Sequence, residues 1–210
     1  MSAQEDPYRI TSVEELRAVY ENPVPLVLKS KLRLIDDHMA HFIRLAPFVC
    51  LASEGADGLD ASPRGGEPGF VRVLDRHHVA LADWTGNNKI ETMTNIVHTG
   101  RCAMLFIVPK LDVFLRLNGG ATLTRDPALR ELLKESTKLP KTVVKLTVKE
   151  AYFHCGKAFR RSRLWVPDQW PDVSGYPTIG KVLHDLAQIS GLTAGELDQL
   201  YEHALQKELY

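Results

Sequence analysis

The sequence has no excess of charge of either sign. Its 210 residues include 26 Lys and Arg against 26 Asp and Glu, so the formal net charge is zero with neutral histidines. Nucleic acids and anionic membrane surfaces attract proteins through a surplus of positive charge, and this chain has no such surplus. We therefore expect a protein that binds neither nucleic acid nor membranes.

Long apolar runs and cysteines are also scarce. No apolar run approaches the roughly 20 residues that a membrane-spanning helix needs, and the first residues, 1–7, are polar and acidic, unlike a signal peptide. The three cysteines, Cys50, Cys102 and Cys155, are scattered among apolar neighbours, which is typical of free buried thiols in a reducing compartment. We therefore expect a cytoplasmic protein. Its hydrophobic share of 44% suffices for a packed domain.

The signatures of several common catalytic and cofactor sites are missing. The sequence has no Gly-x-Gly-x-x-Gly and no Gly-x-x-x-x-Gly-Lys-Ser/Thr, so the phosphate cradles of dinucleotide and P-loop sites are absent. It also has no Gly-x-Ser-x-Gly, Cys-x-x-Cys or His-Glu-x-x-His. His38 and His41 are the best metal candidates, but this pair is more typical of a solvated helix surface. The sequence therefore predicts no metal site and leaves any catalytic residue unknown.

Short strand patterns dominate the middle of the chain. Apolar or alternating runs predict strands at 48–52, 59–62, 70–74, 78–82, 102–108, 113–123 and 143–148. Capping and amphipathic patterns predict helices at 12–20, 31–45, 87–100, 126–135, 179–189 and 194–207. Gly119 and Gly120 indicate a bulge or a close backbone approach. The close strand spacing favours antiparallel hairpins, so we predict an α+β fold in which six or seven antiparallel strands form a β-barrel with flanking helices.

Changes in composition predict three parts. Residues 1–30 hold a short helix and a Pro-rich lead-in, and residues 31–165 hold the strands. Residues 166–210 hold a Pro- and Trp-rich loop followed by two helices. We expect the chemistry in the middle part, where three segments combine glycine, small polar residues and cations.

The first of these segments is 61–66, where Ser62, Pro63 and Arg64 end a strand before Gly65. An arginine at a strand end can direct two donors to a phosphate or carboxylate. Glycines beside it allow a ligand to approach the backbone closely. The alternative is a hairpin with a surface arginine.

The second segment, 83–89, reads as a strand end, a small polar loop with Trp84 and Thr85, and a helix start. Unpaired N–H groups and the positive dipole end make a helix start a binding place for anions, and Lys89 would add charge. The alternative is ordinary helix capping by Asn87 or Asn88.

The third segment, 154–165, is rich in cations. Lys157 and Arg161 are four residues apart and would share one helix face, although a solvated face is the alternative. On an earlier strand, Arg116 and Asn118 share one side, as expected for a barrel rim, a subunit contact or simple exposure. Together the segments predict an anion site suited to a planar cofactor that carries a phosphate.

In this order, the segments resemble the pyridoxamine 5'-phosphate oxidase-like split-barrel flavoproteins, and most closely the branch of FMN-dependent enzymes in that class. The resemblance covers about residues 32–165. It is carried by Ser62-Pro63-Arg64-Gly65-Gly66 with Gly69-Phe70-Val71, by Asp83-Trp84-Thr85-Gly86-Asn87-Asn88-Lys89, by Arg116-Leu117-Asn118-Gly119, and by Cys155-Gly156-Lys157-Ala158 with Arg161-Ser162-Arg163-Leu164-Trp165. It implies a six-stranded split barrel and a homodimer with FMN at the subunit interface.

The resemblance also implies roles for particular residues. The strand with Ser62 and Arg64 would run beside the flavin, the loop with Thr85 and Lys89 would hold its phosphate and ribityl oxygens, and later cations would close the site from the partner chain. The implied FMN-binding residues are Ser62, Arg64, Gly65, Trp84, Thr85, Asn88, Lys89, Arg116, Lys157 and Arg161.

The function implied is that of an oxidoreductase that transfers a hydride or electrons between FMN and a small organic substrate. Such an enzyme needs no protein nucleophile, because the cofactor performs the electron transfer. The alternatives are a non-catalytic flavin carrier or sensor, and a split-barrel protein that binds haem or a deazaflavin.

Overall fold

The structure is a computed structural model that describes residues 6–56, 58–84, 86, 88–188 and 190–207. The chain divides into two compact units, Met1–Lys31 and Leu32–Tyr210. The first unit holds two short helices, α1 (Val13–Val19) and α2 (Pro25–Lys29), neither of which buries a residue. The predicted division into 1–30, 31–165 and 166–210 stays a prediction.

The second unit is built on one antiparallel sheet. Its strands are β1 (Phe48–Gly55), β2 (Gly58–Gly65), β3 (Val71–Asp75), β4 (His78–Asp83), β5 (Arg101–Ile107), β6 (Val113–Thr124) and β7 (Thr142–Cys155). Their order in the sheet is β2-β1-β5-β6-β7-β4-β3, and every neighbouring pair is antiparallel. The predicted α+β class with seven antiparallel strands is therefore confirmed. The sheet is open between its edge strands β2 and β3, as in a split barrel.

Six helices accompany the sheet in the described part of this unit. They are α3 (Asp37–Leu45), α4 (Glu91–Thr99), α5 (Pro127–Leu132), α6 (Lys157–Ser162), α7 (Ile179–Ala187) and α8 (Ala194–Lys207), with a 3-10 turn at Pro167–Gln169. Helix α3 packs against β3 and β6, and α4 packs mainly against β1. Helices α7 and α8 pack chiefly against each other. In the described residues, no helix is long and apolar enough to cross a bilayer.

The core lies on one face of the sheet, which we call the inner face. Val49, Phe106 and Leu115 form one cross-strand row on β1, β5 and β6, and all three are completely buried. Helices α3 and α4 cover them with Ile43 and Ile96. Full burial of one such side chain contributes roughly 1.5–3 kcal/mol, so this face accounts for most of the stability. The period-two pattern that predicted these strands arises from the burial of alternate residues.

The opposite side of the same strands, the outer face, is covered much less. It presents Phe48, Cys50, Leu105, Ile107 and Phe114, all half-buried or exposed. These side chains are apolar like those of the core, and α6 covers one of them, because its Phe159 stacks on Phe114. The other four are not among the residues that pack with α3 and α4 in the core. The outer face is therefore an apolar surface of the single chain.

The predicted irregularity at Gly119 is confirmed. Asn118 pairs with Glu150 and Gly119 with Val148, so Lys149 is an extra residue on β7. A Cβ atom at position 119 would lie 2.0 Å from the carbonyl oxygen of Thr147. Only glycine permits this backbone approach.

The predicted helix over 31–45 is wrong at its start, because α3 begins at Asp37. Leu32 instead exchanges backbone hydrogen bonds with Ala151, at N···O distances of 2.9 and 2.8 Å. The carboxylate of Asp36 then caps the helix by accepting from the Met39 N–H at 2.8 Å. Ile35 in turn donates its N–H to the carbonyl oxygen of Arg76 at 2.7 Å, so the backbone before Asp37 is bonded to other parts of the chain and is not helical. The helix predicted over 179–189 ends at Ala187, and Ile189 lies outside the described residues.

All three cysteines are free thiols, as predicted, but only one is fully buried. Burial raises the pKa of Cys102 to about 12, so that thiol stays protonated and unreactive. Cys50 is half-buried on the outer face. Cys155 ends β7 and is exposed, so its predicted burial is wrong.

Candidate anion-binding site

A small pocket of about 90 Å³ lies where β2 and β4 end and β7 begins. It is lined by Arg64, Asp83, Trp84, Gly86, Asn88, Lys89, Ile90, Met93 and Lys141. Three of these side chains are cations and one is a carboxylate, which leaves two positive charges in excess. A small anion such as a phosphate group matches both the size and the charge of this pocket.

Arg64 reaches the pocket from the second-last position of β2. It pairs in register with the buried Val49, which places its side chain on the inner side of the sheet. Its Nη1 donates to Oδ1 of Asp83 at 3.2 Å, and the side chain is half-buried. Its Nε is buried and has no hydrogen-bond partner. A buried N–H without an acceptor costs free energy, so an anion that reorients the guanidinium would relieve this cost.

Asp83, the last residue of β4, is the carboxylate of the pocket. Burial raises its pKa above the ordinary value, because desolvation penalises the charged form more than the nearby positive charges of Arg64 and Lys141 favour it. Asp83 therefore holds Arg64 in place and competes with an incoming anion for the same guanidinium.

The loop from Trp84 to Ile90 differs from its prediction. Helix α4 begins at Glu91 with Ile90 as its N-cap, and no side chain caps it. The predicted helix start at Asn87-Asn88 is wrong because Asn88 has φ +58°, a left-handed conformation that cannot begin an α-helix. Because α4 begins at Glu91, the unpaired backbone N–H groups of its first turn lie further along the chain than the predicted start at Asn87-Asn88.

Four of the predicted site residues meet at the pocket: Arg64, Trp84, Asn88 and Lys89. The Nζ of Lys89 also lies 3.2 Å from Oε2 of Glu91. Thr85 and Asn87 lie outside the described residues. The predicted residues Ser62 and Gly65 are neighbours of Arg64 on β2 but do not line the pocket.

Arg116 lies elsewhere, on the outer face. Its Nε donates to Oδ1 of Asn118 at 3.1 Å, so the predicted shared face of these two residues is confirmed. Asn118 in turn donates to Oε1 of Glu150 at 2.8 Å, and the Arg116 guanidinium lies 5.9 Å from the ring centre of Tyr152. Arg116 also lines a shallow second pocket of about 490 Å³ on this face. Within one chain it does not join the Arg64 pocket.

Lys157 and Arg161 are also remote from the pocket. They are exposed on α6, which follows β7, whereas Lys141 precedes that strand. β7 has 14 residues, and at about 3.3 Å per residue it runs for roughly 46 Å. Helix α6 is held at this far end by Phe159, which stacks on Phe114 with ring centres 4.1 Å apart. The structure therefore does not bring these two cations to Arg64 of the same chain.

Sequence reasoning missed two charged members of the pocket, Asp83 as a carboxylate and Lys141 as a cation. Lys141 lies 53 residues beyond Asn88, and only the pairing of β4 with β7 brings the two together. No local motif marks it, since a lysine before a strand is common on protein surfaces.

Fold and pocket together define an α+β protein with a cationic pocket at its strand ends. The family model of pyridoxamine 5'-phosphate oxidase matches residues 35–155, which is more than half of the chain. The chain therefore belongs to the pyridoxamine 5'-phosphate oxidase family.

Several solved structures are similar to this chain at low identity. HupZ of Group A Streptococcus is 18% identical, with a TM-score of 0.48 over 57% of this chain and 93% of that one. A Lactobacillus delbrueckii protein provisionally named pyridoxamine 5'-phosphate oxidase is 21% identical, with a TM-score of 0.47 over 58% and 95%. An FMN-binding protein from Syntrophomonas wolfei is 12% identical, with a TM-score of 0.40 over 55% and 86%. No curated protein gave a significant match.

Proposed function

We propose that this chain is an FMN-binding flavoprotein that transfers a hydride or electrons between FMN and a small organic substrate. The observation that carries the proposal is the cationic pocket around Arg64, in a chain that belongs to the pyridoxamine 5'-phosphate oxidase family. When bound, FMN supplies the redox chemistry, and the protein contributes binding and orientation.

The pocket fits the phosphate end of FMN. Its volume of about 90 Å³ is well below the roughly 300–1,000 Å³ of pockets that enclose a whole ligand. A phosphate monoester carries close to two negative charges at neutral pH. Arg64, Lys89 and Lys141 supply the opposite charge, and Asp83 and Glu91 offset only part of it. Arg64 and Lys89 would hold the phosphate, with Thr85 and Asn88 from the same loop, while Ser62, Gly65 and Trp84 would lie along the remainder of the cofactor.

The rest of the cofactor requires a surface outside this pocket, and we assign it to a homodimer interface. The outer face supports this assignment, because exposed apolar side chains that lie together are typical of protein–protein interfaces. Phe48 is 38% exposed there, and Leu59 at the edge of the same face is 86% exposed. In such a dimer, Arg116, Lys157 and Arg161 would approach the cofactor from the partner chain, which they cannot do within their own.

A visible absorption spectrum of the purified protein, followed by release of the chromophore and its identification by mass, tests this proposal. We expect the flavin spectrum of FMN, strongly reduced in Arg64→Ala and unchanged in Arg125→Ala, which removes an exposed arginine outside the pocket. A haem Soret band without flavin, a deazaflavin spectrum, or a colourless protein that does not bind added FMN would each contradict it.

Catalysis needs a separate measurement. The loaded protein is expected to be reduced anaerobically by NADH or NADPH, or by a substrate from a broad panel, and to be reoxidised by an added acceptor. A protein that binds FMN stoichiometrically but shows no turnover with any donor would be a flavin carrier or sensor, and the oxidoreductase part of the proposal would be wrong.

A further inference from the structure

We propose that Lys141 is a third cationic ligand of the phosphate group, and that Asn88 holds its amine in place until the phosphate binds. The inference rests on the proposed function, because it assumes that the pocket receives a phosphate. It adds a residue that neither the sequence motifs nor the resemblance includes.

The backbone of Lys141 is fixed at the rim of the pocket. Its N–H donates to the carbonyl oxygen of Asp83 at 3.0 Å, and the next residue, Thr142, pairs with Asp83 in the β4–β7 register. On the other side, Nε of Arg130 donates to the carbonyl oxygen of Pro140 at 2.8 Å. The Lys141 side chain therefore starts from a held position beside the carboxylate that contacts Arg64.

The amine of Lys141 is directed to the loop that precedes α4. Its Nζ donates to Oδ1 of Asn88 at 3.3 Å, a long contact to a neutral acceptor. An ammonium group has three donors, and a charged acceptor binds it more strongly than an amide oxygen does. A phosphate oxygen in the pocket would therefore replace Asn88 as the preferred acceptor with only a rotation of the flexible side chain.

Asn88 is suited to this role by its backbone. Its φ of +58° is uncommon for residues other than glycine, but asparagine adopts it more readily than most. The left-handed conformation turns the chain just before Lys89 and leaves the Asn88 amide at the pocket. The loop thus presents one cation and one neutral acceptor to the same small space.

The balance of charge decides the importance of Lys141. Asp83 cancels one positive charge in the pocket through its contact with Arg64, and Glu91 lies 3.2 Å from Lys89 and cancels much of another. Without Lys141, the remaining charge at the pocket would be close to zero. Lys141 therefore supplies the net positive charge that attracts a dianion.

Isothermal titration of FMN and of riboflavin, which lacks the phosphate, separates a phosphate ligand from a structural residue. We expect Lys141→Gln to weaken FMN binding about tenfold or more and to leave riboflavin binding unchanged. Lys141→Arg is expected to keep most of the FMN affinity. The matched control is Lys134→Gln, which removes an exposed lysine that pairs with Glu131 on α5 and does not line the pocket.

Each other outcome has a definite meaning. Equal FMN affinity in wild type and Lys141→Gln, or equal losses for FMN and riboflavin, overturns the role of Lys141 and leaves the proposed function standing. If the wild-type protein binds no FMN, the proposed function fails, and thermal shifts with inorganic phosphate decide the inference. Phosphate must then raise the melting temperature of the wild type and of Lys134→Gln but not that of Lys141→Gln, and any other pattern overturns it.

Discussion

The inner and outer faces of β1, β5 and β6 carry side chains of similar character in very different surroundings. Val49, Phe106 and Leu115 are completely buried on the inner face, whereas Phe48 and Leu105 on the outer face keep contact with solvent. The difference arises because α3 and α4 pack on one side only. An alternating apolar pattern therefore marks a strand but does not tell which of its faces the chain itself will cover.

Arg64 and Arg116 also lie on opposite faces of the sheet and have different surroundings. Arg64 faces inward at a strand end, where it contacts Asp83 and meets two lysines at a pocket. Arg116 faces outward from the middle of β6, where it contacts the neutral amide of Asn118. The single chain therefore gathers several charged side chains around the first arginine, whereas the second contacts the Asn118 amide and lies near the Tyr152 ring.

The largest expected effect concerns two leucines on neighbouring strands. Leu115→Ala on the inner face should lower the free energy of unfolding by about 2–5 kcal/mol, because it leaves a cavity in the core. Leu105→Ala on the outer face should cost clearly less in dilute protein, since its side chain is half-exposed there. Urea unfolding of both variants measures this difference. Equal losses would show that the two faces are equally important to the stability of the single chain.

The next prediction tests whether the outer face is the interface of a homodimer. Leu105 on β5 pairs directly with Arg116 on β6. In the monomer, the carboxylate introduced by Leu105→Glu would therefore lie beside the Arg116 cation and interact with it favourably. In a dimer the same carboxylate would be buried, and we expect the dimer dissociation constant to rise about 100-fold. Sedimentation velocity over a range of concentrations measures it, with Leu105→Ala as the control. A dimer of unchanged affinity would exclude the outer face as the interface.

A smaller effect compares the two arginines as anion ligands. At concentrations where the protein is monomeric, Arg64→Ala should weaken binding of inorganic phosphate about tenfold or more, because a charge-assisted contact is lost. Arg116→Ala should leave that affinity unchanged under the same conditions. Competition titrations with both variants provide the measurement, and a similar loss in the two would mean that the Arg64 pocket is not the phosphate site.

The smallest effect is the pH dependence contributed by Asp83. Because burial raises its pKa above 3.8, the folded protein holds this proton more tightly than the unfolded chain does. The resulting stabilisation is present below about pH 3.8 and is lost as the pH rises through the raised pKa. Asp83→Asn has no carboxyl group at position 83 and cannot show this loss. The free energy of unfolding of Asp83→Asn minus that of wild type should therefore increase as the pH rises from about 3.8 through the raised pKa.

Urea unfolding of wild type and Asp83→Asn over a series of pH values follows this difference. Other carboxylates titrate in the same range, but they are common to both proteins and cancel in the comparison. If the free energy of unfolding of Asp83→Asn minus that of wild type decreases as the pH rises, Arg64 stabilises the Asp83 carboxylate by more than burial penalises it.

Local sequence patterns were sufficient for much of the sheet. The strands near 48–52, 78–82, 102–108 and 113–123 follow from alternation or apolar runs, and the bulge at Gly119 follows from its glycine pair. The starts of two helices could not be read this way. The chain before α3 is held by backbone bonds between Leu32 and Ala151, which are far apart in the sequence. The chain before α4 turns at Asn88, and asparagine is common both in left-handed turns and at helix N-caps, so local patterns do not tell the two apart.

The residues of the candidate site likewise divide into those that the sequence predicted and those that only the structure places there. The sequence by itself determined that Arg64, Trp84 and Lys89 stand beside strand ends, because the residues next to them carry the strand and turn signals. Only the tertiary structure decided that Lys141 and Asp83 share their pocket, and that Lys157 and Arg161 lie at the far end of β7. The physical reason is that strand pairing joins residues more than 50 positions apart, while propensity and periodicity act over a few residues at a time.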